Sequence, residues 1–186
     1  MLKPVLLISA VMLALGAVAS ADTVDRPTRI EIFTSIDLPA TPEAVWAVLS
    51  DLKSYPDWNP YHVSVDGKLA LGERLEVKIE KPNGKKVAIE PHVLEIDQNR
   101  SLVWGGGPWG LFRGEHRFDL ELLSPGCTRL HHTEVFSGLF VSFADLSAIE
   151  PGYHQMNRAL LTRLQDSGLA PRSCGLPGNP PMHSTR

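Results

Sequence analysis

Between Thr28 and Leu38 apolar and polar positions alternate. Ile30, Ile32, Ile36 and Leu38 share one side with Thr34, and Arg29, Glu31, Ser35 and Asp37 share the other with Phe33. A period of two predicts a half-buried strand. The period changes at "ATPEAVWAVLSDL". Thr41 is a natural N-cap, Pro42 suits the first helical position, and Glu43 suits the positive end of the helix. Val45, Trp46, Leu49 and Leu52 recur at helical spacing, so a short helix is expected to run to about Lys53. "YPDWNPY" follows, and its two prolines exclude both a helix running through the segment and a central strand. Pro56 and Pro60 are expected to stop the helix and turn the chain into the next strand.

The centre of the chain returns to a period of two. "ERLEVKIEK" and "KKVAIE" flank Pro82-Asn83-Gly84, a three-residue loop ending in a left-handed residue. That loop sets Lys81 opposite Lys85, Ile79 opposite Val87 and Val77 opposite Ile89, which brings the apolar residues into register. Pro91 is expected to mark a bulge before "VLEID" and "SLVW". A second hairpin, "LFRGEHRFDLELL" and "CTRLHHTEVFSG", turns at Ser124-Pro125-Gly126. The same loop logic sets Leu123 opposite Cys127, Leu120 opposite Leu130, Phe118 opposite His132, and His116 opposite Glu134. These residues are expected to share the inner face with Phe112, Leu122 and Phe136. Arg113, Glu115, Arg117, Asp119 and Glu121 would face solvent. From about Pro151 to Gln165, Tyr153, Met156, Leu160 and Leu164 form a helical stripe, widened by Asn157 and Leu161, with Gly168 as terminator.

The predicted order is one strand, one or more short helices, about six strands and a long helix. Tight loops make the sheet antiparallel. The expected fold class is α+β, with a curved antiparallel sheet wrapped around a long C-terminal helix. One helix does not fill the hollow of a strongly bent sheet, so an internal space is expected between them.

The two ends add a compartment. Lys3, the apolar run Val5 to Val18 and Ala19-Ser20-Ala21 have the layout of a secretory signal peptide over residues 1–21. The run, about 14 residues, is short of the ~20 that span a bilayer, so no stable membrane insertion is expected after cleavage near Ala21. The chain would then be exported, to a periplasm or outside the cell, with a domain over residues 22–170 and a flexible Pro/Gly-rich tail over 171–186. Export permits disulfides. Cys127 and Cys174 are the candidate pair, the alternative being two free thiols. The formal net charge of −3 carries no basic footprint, which argues against nucleic acid as a partner.

The stretches "PEAVWAVLSDLKSYPDWNPY", "LVWGGGPWGLFRGEHRF" and "TRLHHTEVFSGLF", closed by an amphipathic helix, resemble the SRPBCC or START-like superfamily, in its polyketide cyclase/dehydrase and lipid transport branch. The resemblance spans roughly residues 28 to 167. It implies the helix-grip fold and a pocket for an apolar small molecule or lipid, without a cofactor. The exported start and the tail carrying Cys174 lie outside the common pattern.

Candidate chemistry is sparse. His116 and Glu134 are expected to sit opposite each other on the inner face, with His132 diagonal to His116. Such a pair has three readings: an acid and base, an orienting pair for a polar ligand head, or a satisfied structural pair. The remaining ligand-contact candidates are Trp58, Tyr61, Trp104, Trp109, Phe112, Phe118, His132, Tyr153, Met156, Asn157 and Leu160. Trp58 and Tyr61 equally suit a seal at one end of the cavity. "GGGPWGLF" lacks the ending of a phosphate loop; it suits a mobile pocket mouth, or a hairpin connection whose rings fold back on the sheet. His131 and His132 alternate across their strand and do not make a metal pair. No nucleophile motif is present. Two functions from different classes follow: a carrier of an apolar small molecule or lipid, and a cyclase- or dehydratase-type enzyme. A third class, an interaction module, would show a filled core and an exposed apolar patch.

Overall fold

In the computed structural model, the structure describes residues 27–168 and residue 174. The expected signal peptide lies outside the described residues, as does the expected tail apart from Cys174.

Strand β1 (Arg29–Leu38) buries Ile32, Thr34 and Leu38 and exposes the alternate positions. Helix α1 (Pro42–Ser50) starts where expected: the Ala44 N–H donates to Thr41 Oγ1 at 3.3 Å, and Pro42 opens the first turn. A single 3-10 turn links α1 to helix α2 (Tyr55–Trp58). This one-turn helix corrects the expectation for "YPDWNPY". Pro56 sits in its first turn, where a missing N–H leaves no helical bond unmade. Asn59 then ends it. Its Oδ1 accepts from the N–H groups of Tyr61 and His62, at 3.0 and 2.9 Å, and so points those two side chains inward. Tyr55 is buried and donates to the Leu49 carbonyl at 2.8 Å, tying α2 back to α1.

Seven further strands follow: β2 (His62–Asp66), β3 (Glu76–Glu80), β4 (Lys86–Ile89), β5 (His92–Asp97), β6 (Ser101–Gly106), β7 (Arg113–Ser124) and β8 (Cys127–Ser137). They form two sheets rather than one. The larger has the order β1-β8-β7-β6-β5 and the smaller β2-β3-β4, with antiparallel pairing throughout. Pro91 is therefore a point of transfer between sheets, not a bulge within one strand. Having no N–H, it suits the place where a ladder ends. Across the seam, Leu75 N–H donates to the Pro91 carbonyl at 2.8 Å.

The inner register of both hairpins is as expected. Val77 pairs with Ile89 and Ile79 with Val87, and Gly84 takes a φ of +80° at the turn. In the longer hairpin Leu120 pairs with Leu130, Phe118 with His132, and His116 with Glu134. Its tip differs from expectation. Ser124 pairs with Cys127, and a bulge between Leu122 and Ser124 absorbs the offset, which leaves the inner register intact. Leu122, expected on the inner face, is exposed and stands next to the bulge.

Helix α3 (Ile149–Asp166) lays Tyr153, Met156, Asn157, Leu160 and Leu164 against the sheet, all buried. It packs on β1 and α1. Gly152 permits its closest approach: a Cβ there would stand 2.2 Å from the Tyr61 ring. The helix ends at Gly168, whose φ is +68°. The arrangement is the helix-grip fold, a curved antiparallel sheet around a C-terminal helix. Cys127 and Cys174 are joined, with their Cα atoms 5.3 Å apart and a sequence separation of 47. Loop-closure entropy puts such a link at about 4 kcal/mol. Among the described residues, no helix is long and apolar enough to cross a membrane.

Candidate functional site

A cavity of about 500 Å³ lies between the small sheet, the inner face of the large sheet and the start of α3. Its walls are apolar. Ile79, Val87 and Ile89 come from the β3–β4 hairpin, Phe136 from β8, and Leu146 and Ile149 from the approach to α3. Lys85, Glu90 and Asp145 line it and are exposed, so they mark its rim. The opposite end is polar and aromatic, formed by Tyr61, His62, Trp104, His116, Glu134 and Tyr153.

The strand register brings His116 and Glu134 side by side, but they do not bond to each other. Glu134 accepts from the Tyr153 hydroxyl, and His116 bonds to His132, Nε2 to Nε2, at 2.7 Å. His132 is the diagonal neighbour of His116 on β8 and Tyr153 comes from α3, so each member of the pair bonds off the direct cross-strand position. His132 reaches past Tyr153, its ring stacked on the tyrosine at 3.9 Å, and its Nδ1 meets Asn157 Oδ1 at 2.8 Å. Asn157 Nδ2 donates to Thr34 Oγ1 at 3.0 Å, and Thr34 donates to the His132 carbonyl at 3.3 Å. Four side chains from β1, β7, β8 and α3 thus form one buried hydrogen-bonded chain. Trp104 on β6 stacks flat on His116 at 4.9 Å, while His62 meets His116 edge-on at 5.0 Å.

Burial sets the protonation. It pushes His62 and His132 down to about 3, the latter against the raising effect of Asn157, and it holds His116 well below the usual imidazole range, helped by the other two rings. All three are neutral at physiological pH. Burial lifts Glu134 the other way, to about 7, against the lowering effects of the Tyr153 hydrogen bond and of Lys81. Among the described residues, no group of three His, Cys, Asp or Glu side chains is placed to hold a metal.

Of the residues expected at a ligand site, Tyr61, Trp104, Phe112, His116, Glu134 and Tyr153 line the cavity. The others lie elsewhere. Phe118 and His132 are buried beneath His116, and Met156, Asn157 and Leu160 lie further along α3, packed under the floor. Trp58 packs edge-on against Tyr55. Trp109, 82% exposed, stands on the outer face of the sheet with the Arg113 guanidinium 4.6 Å above its ring. Of the ring-bearing "GGGPWGLF" loop, Phe112 is the residue that turns in, against Phe136. Sequence reasoning missed His62 as a site residue, and Thr34 as a member of the buried chain. The signal for His62 was its place directly after Tyr61, in a segment that Asn59 turns inward.

A family model described as polyketide cyclase/dehydrase and lipid transport matches residues 29–167. No curated protein matches the chain. Among solved structures, a START superfamily protein from Mycobacterium smegmatis aligns with a TM-score of 0.59 at 18% identity, covering 74% of this chain and 98% of that one. The Zhui aromatase/cyclase from a Streptomyces species aligns at 0.62 and 14% identity, over 75% and 96% of the two chains. Major latex-like protein 151 from Panax ginseng aligns at 0.62 and 9% identity, over 74% and 98%. At these identities the three structures establish a shared fold.

Proposed function

Because the chain belongs to the polyketide cyclase/dehydrase and lipid transport family, we propose that it carries an apolar small molecule or lipid in the cavity between the small sheet and α3. The observation that carries this reading is the cavity itself: about 500 Å³, apolar on its walls and polar at one end. Pockets of this size and lining hold small ligands by burying apolar surface, at roughly 25 cal/mol per Å² before the costs of association. We place the carrier outside the cytoplasm, after removal of residues 1–21. The Cys127–Cys174 bond supports an oxidising compartment.

Native mass spectrometry of the purified exported protein tests the reading, followed by extraction of whatever travels with it. A small-molecule adduct is expected. Val87→Trp, which puts an indole into the cavity from β4, is expected to remove the adduct and to abolish binding of the apolar dye N-phenyl-1-naphthylamine. A wild-type protein that binds neither, or a Val87→Trp protein that binds both as before, would overturn it.

One observation favours an enzymatic reading beside this. Glu134 lines the cavity, is held near neutrality by burial, and already accepts a hydrogen bond from Tyr153. Such a carboxyl both gives and takes a proton at pH 7, as cyclisation or dehydration requires. On this reading Glu134→Gln loses turnover of a polyketide-like substrate by about 100-fold or more while keeping its affinity. Retention of turnover in that variant would remove the acid–base role.

A further inference from the structure

The buried chain of hydrogen bonds has a direction, and a backbone atom sets it. A carbonyl oxygen only accepts, so the bond from Thr34 to the His132 carbonyl uses the single hydroxyl proton of Thr34. Thr34 Oγ1 therefore accepts from Asn157, which assigns Nδ2 to that side and Oδ1 to the side of His132. Facing an oxygen, His132 Nδ1 carries the proton. In a neutral ring His132 Nε2 is then a bare acceptor, so His116 Nε2 carries the proton between the two rings. His116 Nδ1 is left with a lone pair. It is buried and has no protein partner, and His62 Nδ1, in the ring packed edge-on against His116, is likewise buried without one.

Both rings line the cavity and both side chains are more than nine-tenths buried. The chain thus presents a fixed acceptor next to a histidine free to choose its tautomer. We infer that the cavity floor selects hydroxyl groups: His116 Nδ1 accepts from, and His62 donates to, the O–H of a neutral apolar ligand such as a phenol, enol or alcohol. Both Nδ1 atoms are closed off in this structure, so on this inference the ligand oxygen enters between them as the edge-packed His62 ring tilts. An ether or ketone has no proton for His116. A carboxylate meets Glu134 in the same cavity, and the Tyr153 hydroxyl is already committed to Glu134. The inference rests on the carrier reading and narrows its ligand class.

The matched pair 1-naphthol and 1-methoxynaphthalene tests it by titration of the intact protein. Naphthol is expected to bind about tenfold more tightly, the size of effect that follows from leaving one buried acceptor unpaired. In His116→Phe, which keeps a flat ring over Trp104, the ratio is expected to fall to about one. Nitrogen-15 NMR of the wild-type histidines is independent of that variant's folding: His132 is expected as the Nδ1–H tautomer and His116 as the Nε2–H tautomer. Equal affinities for the pair in wild type, or a proton on His116 Nδ1, would overturn the inference. Failure of the carrier reading looks different: neither naphthalene binds, or Val87→Trp leaves binding of both untouched.

Discussion

The two hairpins of this protein turn by related chemistry and do different work. Each has a proline and a positive-φ glycine at its tip, Pro82 with Gly84 and Pro125 with Gly126. The β3–β4 hairpin is short, and the residues it offers the cavity from its strands are aliphatic: Ile79, Val87 and Ile89. Its outer strand is largely exposed. The β7–β8 hairpin has strands of 12 and 11 residues, sits between β6 and β1, and points His116, Phe118, His132 and Glu134 into the core. One hairpin is a wall that any apolar ligand can touch. The other is a floor whose polar groups are almost all matched to one another. Length and central position make the difference, since a polar side chain is tolerated inside only where neighbours on several elements reach it.

The largest effect expected from this contrast is a steep loss of stability in acid, originating in the floor. His62 and His132 fold with values near 3, and His116 also lies well below the usual imidazole range. Their contribution is complete above the unfolded value of about 6.5 and is lost as pH falls from there toward 3. Glu134, raised to about 7, has the opposite sign: its contribution is present below about 4.5 and lost as pH rises through 7. Between about pH 4.5 and 6.5 three groups oppose one. Stability is expected to rise with pH by a net of about two protons, about 2.7 kcal/mol per unit at most. Urea titrations from pH 4.5 to 8 measure it, and Glu134→Gln is expected to steepen the rise. A flat profile would mean that the three rings are solvated and that the floor is not closed.

The wall and the floor were not equally legible in the sequence. Periodicity and loop chemistry were enough for β1, for α1 with its Thr41 cap, for both hairpin registers and for the stripe on α3, because each depends on residues close in the chain. The split into two sheets was not visible, since the strand pattern on either side of Pro91 is the same whether the chain continues or crosses over. The pairing of His116 with Glu134 in register was readable, but the choice of hydrogen-bond partners was not. That choice depends on Tyr153 and Asn157, which arrive from a helix about 20 residues later. Trp109 was misjudged for a related reason: one glycine-rich loop turns Phe112 in and Trp109 out, and composition does not distinguish them.

Two substitutions sharpen the contrast at intermediate size. Phe118→Ala opens a cavity under His116, where the Phe118 and His116 rings meet edge-on at 4.5 Å. It is expected to cost about 3–5 kcal/mol in urea unfolding. Ile89→Ala on the exposed edge of the wall is expected to cost under about 1 kcal/mol. Similar costs at the two sites would end the distinction between wall and floor. Asn157→Leu tests the polar chain itself. It leaves His132 Nδ1 buried without a partner and removes the bond that Thr34 accepts, for an expected loss of about 1–3 kcal/mol. The same variant is expected to mix the His132 tautomers in nitrogen-15 spectra. An unchanged spectrum would show that something other than Asn157 orients the ring.

The smallest effect is expected on the outer side of the short hairpin. Lys86 and Glu80 pair at 3.1 Å across β3 and β4, with 76% and 44% of their side chains exposed. Water screens a pair this open, and holding two long side chains together costs entropy. Lys86→Ala is expected to change the unfolding free energy by less than about 1 kcal/mol and to leave dye binding unaltered. The comparison with Asn157→Leu is informative because each substitution removes polar contacts between two elements. If the exposed pair proves as costly as the buried amide, the short hairpin is held by its surface rather than by the aliphatic residues facing the cavity. The wall would then depend on salt, and ligand affinity would fall with ionic strength.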